Sequence, residues 1–295
     1  MSDRIKIILW GYDLPAESKL RTLLSIDDVK VVAIVVPANR EEMVIKPIKN
    51  MAQENGIPVF APPTLKDRGF RESVSAAQSD VFIVDSYTKL IPKDVITIPR
   101  LGAFNFHPGK LPQYRGAHVL NWAIINGEGK ITLTVHEMNE KFDCGDIAME
   151  EDIDVSFLDD IGSVFGRVAG TGEGMIKKLI EDIKNNRLSL TPQTEEGAKH
   201  YRARIPADGR INWKNTGLQI YNLVRALLPP WPCAFFEHRG QEVKIYKAYP
   251  VPVGYEEQPG KVVSVSDRAF CVAAGKDWLL VKDADKMDFE AGEIL

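Results

Sequence analysis

A chain of 295 residues, 44% hydrophobic and 26% charged, is long enough for one large domain and a smaller one, with an ordinary globular composition. Its apolar runs stop at strand length, far below the roughly 20 residues of a membrane span, and its start, MSDRIKIILWG, has no apolar signal region, so the expectation is a cytoplasmic protein that does not enter the membrane. A net charge of -4 gives no overall attraction to phosphate polymers, and three cysteines without a CxxC pair argue against a disulfide scaffold or a zinc knuckle.

Short β-rich runs at 5–11, 29–37, 57–60, 80–86, 102–107 and 131–136 alternate with amphipathic helical patterns at 15–25, 41–55 and 69–78. Near-continuous Val and Ile strands separated by helices predict a doubly wound α/β domain on a mostly parallel sheet. Residues 160–186 carry apolar positions at helical spacing, including Ile161, Val164, Val168, Ile176 and Leu179, interrupted by Gly170, Gly172 and Gly174. Beyond 187 the periodicity gives way to Pro, Gly and charge. A helix-like GLQIYNLVRALLPP follows, then alternating runs such as EVKIYKA and GKVVSVS, the pattern of a small β-barrel. The expected organisation is a catalytic domain at 1–187, a linker at 188–208 and a β-barrel-like domain at 209–295. From Arg204 onward, 12 Lys and Arg balance 12 Asp and Glu, the composition of a solvated surface and not of a basic patch.

The stretch FNFHPGKLPQYRG, 104–116, ends an apolar strand. Period-2 alternation sets Phe104 and Phe106 on one face and Ala103, Asn105 and His107 on the other, and Pro108 stops the strand with His107 at its mouth. In open α/β sheets ligands bind beyond such strand ends. A histidine here serves either as a packing residue or as part of a site. In KFDCGDIAMEEDIDV, Asp143 and Asp146 bracket a Cys-Gly turn, and Asp and Gly are also simply what turns are made of. Together, an amide donor, an imidazole and a carboxylate are what acyl-type transfer to an amine requires. Other chemistries fit less well. ILWGYDLPAES lacks the GxGxxG of a nicotinamide enzyme, and His107, His136, Asp143 and Asp146 show no metal-ligand spacing, so no metal is expected and His136 reads as structural. Cys144 has no evident base partner, and Trp122 and Trp231 read as packing residues.

The run FNFHPGKLPQYRGAHVLNWAIINGEGKITLTVHEMNEKFDCGDI resembles the signature of the folate-dependent formyltransferases: Asn-x-His-Pro, Leu-Pro-x-Tyr-Arg-Gly, Trp-Ala-Ile-x-x-Gly-Glu and Asp-x-Gly-Asp. The resemblance continues through DGRINW, IYNLVRALLPPWPCAFFEHRG and QPGKVVSV and so spans most of the chain. It implies a Rossmann-like catalytic domain, Asn105, His107 and Asp143 as the catalytic residues, and N10-formyltetrahydrofolate as formyl donor. It further implies that the pterin lies near Ser86, Tyr87, Lys89 and Leu90 and near Met138, Asn139 and Asp143, with Tyr114, Arg115 and His118 toward the acceptor. Where the family pattern places a serine after His-Pro, this chain has Gly109-Lys110, which changes the loop and leaves the three residues intact.

Two branches of the family suggest different acceptors. The methionyl-tRNA formyltransferases typically carry a basic, Gly-containing insertion after the second strand, where this chain reads PANREEMVIKPIKNM. RARIPADGRINW and IYNLVRALLPPWP are more similar to the enzymes that formylate amino sugars. The expected acceptor is therefore a nucleotide-linked amino sugar, with tRNA as the alternative and a hydrolase that passes the formyl group to water as a third reading.

Overall fold

The computed structural model describes residues 4–253 and 257–295. In chain order its elements are β1 (Ile5–Trp10), α1 (Leu14–Leu24), β2 (Val29–Val35), α2 (Glu42–Glu54), β3 (Val59–Phe60), α3 (Arg68–Ala76), β4 (Val81–Asp85), α4 (Lys93–Ile96), β5 (Ala103–His107) and β6 (Arg115–Gly116). There follow α5 (Val119–Ile125), β7 (Lys130–Glu137), β8 (Ile147–Asp154), α6 (Ile161–Lys184), β9 (His200–Tyr201), α7 (Gly217–Arg225), β10 (Ala234–His238), β11 (Gln241–Val251), β12 (Val262–Ser266), β13 (Ala269–Ala274) and β14 (Asp277–Ala284). Among the described residues no helix is long and apolar enough to cross a membrane.

Contacts within the chain gather it into two compact units that are not sequential blocks. The first holds the residues up to Val119, Lys130–Asp154 and Phe165–Tyr201; the second holds Leu120–Gly129, Val155–Val164 and Arg202–Leu295.

The first unit is built on a seven-stranded sheet in the order β3-β2-β1-β4-β5-β7-β8. Its first five strands pair in parallel, as their Val- and Ile-rich runs predict, while β7 and β8 are antiparallel. Strand order reverses between β1 and β4, which puts the switch-point crevice at the carboxyl ends of β1, β4 and β5. On one face of the sheet Ile8, Trp10, Phe82, Val84 and Ala103 join Phe70, Val74 and Ile91 in a buried cluster. Helix α6 runs unbroken through the three glycines that interrupt its pattern. Gly172 has a packing reason: a Cβ there would run into the ammonium of Lys19 on α1.

The second unit is a five-stranded antiparallel sheet, β10-β11-β14-β13-β12, with α7 packed on β11 and β14. Helix α7 starts at a reciprocal capping box between Thr216 and Gln219, which satisfies two of its otherwise unpaired N–H groups. Its far end explains why two earlier segments belong to this unit. Asn121 donates to the Ala226 carbonyl at 2.8 Å, and the Arg225 guanidinium donates to the carbonyls of Ser156 and Asp159 at 2.9 and 2.8 Å.

Part of the stretch expected as a linker is bonded into the first unit. Thr191 and Ile147 exchange both backbone hydrogen bonds at 2.8 Å, and β9 pairs in parallel with β6.

Candidate active site

Strand β5 lies between β4 and β7, and its pairing register decides which side chains meet. Asn105 is the Cα partner of His136 and His107 that of Thr134, so all four stand on one face of the sheet. The predicted alternation holds, with Phe104 and Phe106 buried on the other face.

Asp143 returns to this face from the turn after β7. It adopts a left-handed backbone conformation, φ +53°, and Gly145 beside it has no room for a Cβ, which would collide with the Glu137 carbonyl. The turn composition Asp-Cys-Gly-Asp thus has a local cause that holds whatever the site does.

Asn105 Nδ2 lies 3.1 Å from His136 Nε2 and 3.4 Å from Asp143 Oδ1. His136 places Nδ1 2.9 Å from the Glu137 carbonyl, while Nε2 faces both Asn105 Nδ2 and Asp143 Oδ1, the latter at 3.4 Å. His107 Nε2 is 2.5 Å from the Tyr114 carbonyl, so that nitrogen carries the proton, and Nδ1 faces Asp143 Oδ1 at 3.6 Å. The Gly116 N–H donates to the other oxygen, Asp143 Oδ2, at 2.8 Å.

Burial lowers the pKa of His107 below its ordinary 6.5, against the pull of the nearby Asp143 charge and the Tyr114 carbonyl. Burial alone pushes the Asp143 carboxyl up, but the two imidazoles and the Gly116 N–H outweigh it and hold the group well below the usual carboxylate range. At neutral pH the site therefore contains an ionised Asp143 beside a neutral His107. An amine entering here finds an amide donor, an imidazole nitrogen with a free lone pair, and a carboxylate ready to stabilise that ring once it is protonated.

The loop after His107 is drawn tightly over the strand. Thr134 Oγ1 donates to the Gly109 carbonyl at 2.9 Å, and a Cβ on Gly109 would sit 2.9 Å from His107 Nε2 and 2.8 Å from the Tyr114 carbonyl. A side chain at position 109 would crowd the contact between the Tyr114 carbonyl and the imidazole.

The other sequence-marked positions separate into groups. Tyr87 and Met138 pack against the Trp10 cluster, the Tyr87 ring 5.2 Å from that of Trp10, and burial pushes the Tyr87 hydroxyl up to about 12. Ser86 has φ +60° and donates to Asp85 Oδ1 at 3.1 Å. Leu90 is exposed, Lys89 donates to the Pro63 carbonyl at 3.3 Å, and Asn139 caps its own turn by accepting from the Lys141 N–H at 2.9 Å. Tyr114 stacks on Tyr201 with centroids 4.8 Å apart, and His118 has φ +54°. Arg115 is buried and its guanidinium is held by Gln193 and Glu195. Cys144 donates to the Phe142 carbonyl and Asp146 accepts from the Glu137 N–H. Among the described residues no group of three or more His, Cys, Asp and Glu side chains is arranged to hold a metal ion. The geometry also includes His136, which the sequence suggests is structural, and Gln193. The period of β7 gives the face of His136 but not its partner, which only the β5–β7 register supplies, and Gln193 sits in a stretch with no periodic pattern to mark it.

Residues 28–180 match the profile of the formyl transferase family, and residues 205–292 match that of the formyl transferase C-terminal domain. The chain belongs to the formyl transferase family. It is a formyl-transferring enzyme related along most of its length to proteins named methionyl-tRNA formyltransferase. That of Alkaliphilus oremlandii is 32% identical over 248 residues, covering 84% of this chain and 80% of its own, and that of Desulfotalea psychrophila is 31% identical over 287 residues, covering 95% and 87%. Solved structures similar to this formyl transferase include WlaRD, a sugar 3N-formyl transferase, with a TM-score of 0.70, 20% identity and coverage of 94% of this chain and 97% of that one. An N-formyltransferase from Helicobacter canadensis gives 0.71, 19%, 94% and 99%. HypX from Aquifex aeolicus gives 0.68 and 20% and covers 99% of this chain, but the chain spans only 45% of HypX. At these identities the structures speak for a shared fold.

Proposed function

We propose that this formyl transferase moves the formyl group of N10-formyltetrahydrofolate to the primary amine of a nucleotide-linked amino sugar, with Asn105, His107 and Asp143 as its catalytic residues. The acceptor nitrogen attacks the formyl carbon, and the oxyanion that forms is stabilised by the Asn105 amide. The nitrogen's surplus proton goes to His107 Nδ1, whose imidazolium is held between Asp143 and the Tyr114 carbonyl and adds positive charge beside the oxyanion. Collapse breaks the bond from carbon to N10, and the proton leaves the imidazolium for N10. The products are the formamide and tetrahydrofolate, and the residues return to their starting states. In this proposal Tyr87 and Met138 serve the donor side and Tyr114 the acceptor side.

The observation that favours a sugar is the link between β2 and α2. It runs only from Val36 to Glu41, and its one cation, Arg40, lies 5.0 Å over the Tyr12 ring. Contacts from Lys and Arg to phosphates dominate nucleic-acid affinity, and a chain of charge -4 without a basic insertion here supplies few of them. The names of the relatives above support a second reading, with methionyl-tRNA as acceptor. The deciding experiment is a transfer assay with N10-formyltetrahydrofolate against dTDP-linked amino sugars and charged initiator tRNA, following tetrahydrofolate release and acceptor mass. A formylated sugar is the expected product. Formyl-methionyl-tRNA reverses the choice of acceptor, and donor turnover with no formylated acceptor makes water the acceptor.

The mechanism also sets a pH dependence. Neutral His107 is the working form, and burial favours that form. The acid limb of kcat/KM is therefore expected below pH 6.5, with activity lost as falling pH protonates the ring. With the acceptor saturating, so that its own amine does not shape the profile, an acid limb in the donor kcat/KM with an apparent pKa above 6.5 would contradict a buried imidazole as the proton acceptor.

A further inference from the structure

We infer that Gln193 is a positioning residue for formyl transfer, holding the Asp143 turn in its left-handed conformation through two hydrogen bonds to the backbone. The inference rests on the catalytic assignment above and extends it to a segment some fifty residues further along the chain.

The Gln193 amide has its orientation fixed at both ends. Its Oε1 accepts from Arg115 Nε at 3.1 Å and from Arg115 Nη2 at 2.9 Å, so Nε2 must face the other way. There it donates to the carbonyl of Asp143 at 3.0 Å and to that of Gly145 at 2.6 Å. These two carbonyls flank Cys144 in the turn that carries φ +53° at Asp143, a conformation that costs free energy in any residue other than glycine. Two donated hydrogen bonds, one at the strained residue and one two residues after it, offset that cost and set where the carboxylate points. Arg115 is itself buried, and its charge is balanced by Glu195, whose carboxylate lies 3.1 Å from Nη1.

The segment bearing Gln193 is fastened on both sides of the site. Before Gln193, Thr191 and Ile147 exchange hydrogen bonds beyond the Asp143 turn. After it, β9 pairs with β6, the Arg115 N–H donating to the Lys199 carbonyl at 3.1 Å and the Ala117 N–H to the Tyr201 carbonyl at 2.9 Å. This pairing requires glycine at 116, since a Cβ there would enter the Tyr201 carbonyl. It also leaves the Gly116 N–H free to bond Asp143 Oδ2. The strap thus fixes Asp143 twice, from Gln193 on its main chain and through Gly116 on its carboxylate. Groups that act on a reacting atom lose about a hundredfold in rate for a displacement of order 1 Å, so a residue that touches no substrate controls the rate through this turn.

The test compares Gln193→Ala with Gln193→Glu in the full chain. Glutamate keeps the shape and the contact to Arg115, and it replaces the N–H donors with a charged oxygen that faces the two carbonyls and cannot bond them. The assay uses N10-formyltetrahydrofolate with whichever of dTDP-3-aminofucose and charged initiator tRNA the wild type formylates. Both variants are expected to lose about a hundredfold in kcat while the donor KM stays within about twofold. Hydrogen exchange of the 138–147 amides is expected to quicken in both. Wild-type kcat in Gln193→Glu overturns the proposal, because the donated hydrogen bonds would then not matter. A rise in KM with kcat intact overturns it too, and failure of both variants to fold assigns Gln193 to stability instead. If the wild type releases no tetrahydrofolate with either acceptor, the catalytic reading falls, and the exchange measurement still decides whether Gln193 holds the turn.

Discussion

Asp143→Asn is expected to lower kcat about a thousandfold while the protein stays folded. Asparagine has nearly the same shape and can still accept the Gly116 N–H, so the turn has no steric reason to move. What disappears is the negative charge 3.6 Å from His107 Nδ1. Burial already lowers the pKa of that imidazole, and the Asp143 charge is the largest influence opposing it. Without the charge the ring is a poorer proton acceptor at every pH, and the imidazolium formed after attack stands in a buried site stabilised by the Tyr114 carbonyl and the more weakly acting Asp85 charge. The asparagine NH2 would also compete with Asn105 for His136 Nε2, disturbing the amide that faces the oxyanion. Single-turnover kinetics with saturating donor, alongside thermal unfolding, would check this. A variant that keeps its unfolding temperature and its donor affinity but loses the chemical step fits the assignment. One that retains turnover within about tenfold removes Asp143 from the reaction.

Much of this site was legible because the information was local. The alternation in AFNFH sets Asn105 and His107 on one face, Pro108 ends the strand, and Asp-Cys-Gly-Asp marks a turn, all within windows of a few residues. The parallel half of the sheet was legible for the same reason, since buried parallel strands are written as continuous apolar runs. The rest depends on pairing between distant segments. His136 joins Asn105 only through the antiparallel register of β5 and β7, and a histidine at a strand end looks structural until that register is known. Residues 188–201 look like a linker because their hydrogen bonds go to Asp143, Gly145 and β6 instead of building a periodic element of their own. The two units cross the chain more than once because Asn121, Ser156 and Asp159 are tied to the end of α7, contacts that no local pattern encodes.

Lys19 shows how far a local pattern can mislead, and changing it carries the largest expected cost in stability. It falls in the helical pattern of 15–25, where a lysine reads as part of the solvated face, yet it is fully buried. Its ammonium lies 2.5 Å from Asp85 Oδ2 and 4.3 Å from the centre of the Phe106 ring, with Gly172 of α6 leaving it room. Asp85 ends β4 and is the Cα partner of Phe106, so the ion pair lies directly beneath the strand segment that carries Asn105 and His107. Nearby, burial and the charge of Asp85 push the Asp13 carboxyl up to about 7, so a second acid already keeps its proton near neutral pH. Lys19→Met fills nearly the same volume but leaves Asp85 buried without its cation, which is expected to cost about 3–5 kcal/mol. Adding Asp85→Asn removes the stranded charge, so the double variant should recover most of that loss, a coupling of about 2 kcal/mol or more between neighbours. Urea unfolding of the two single variants and the double variant measures this cycle. Additive losses would mean that the two groups are stabilised separately. A recovered double variant that folds well yet transfers formyl groups slowly would show that the buried charge pair also sets the position of the strand above it.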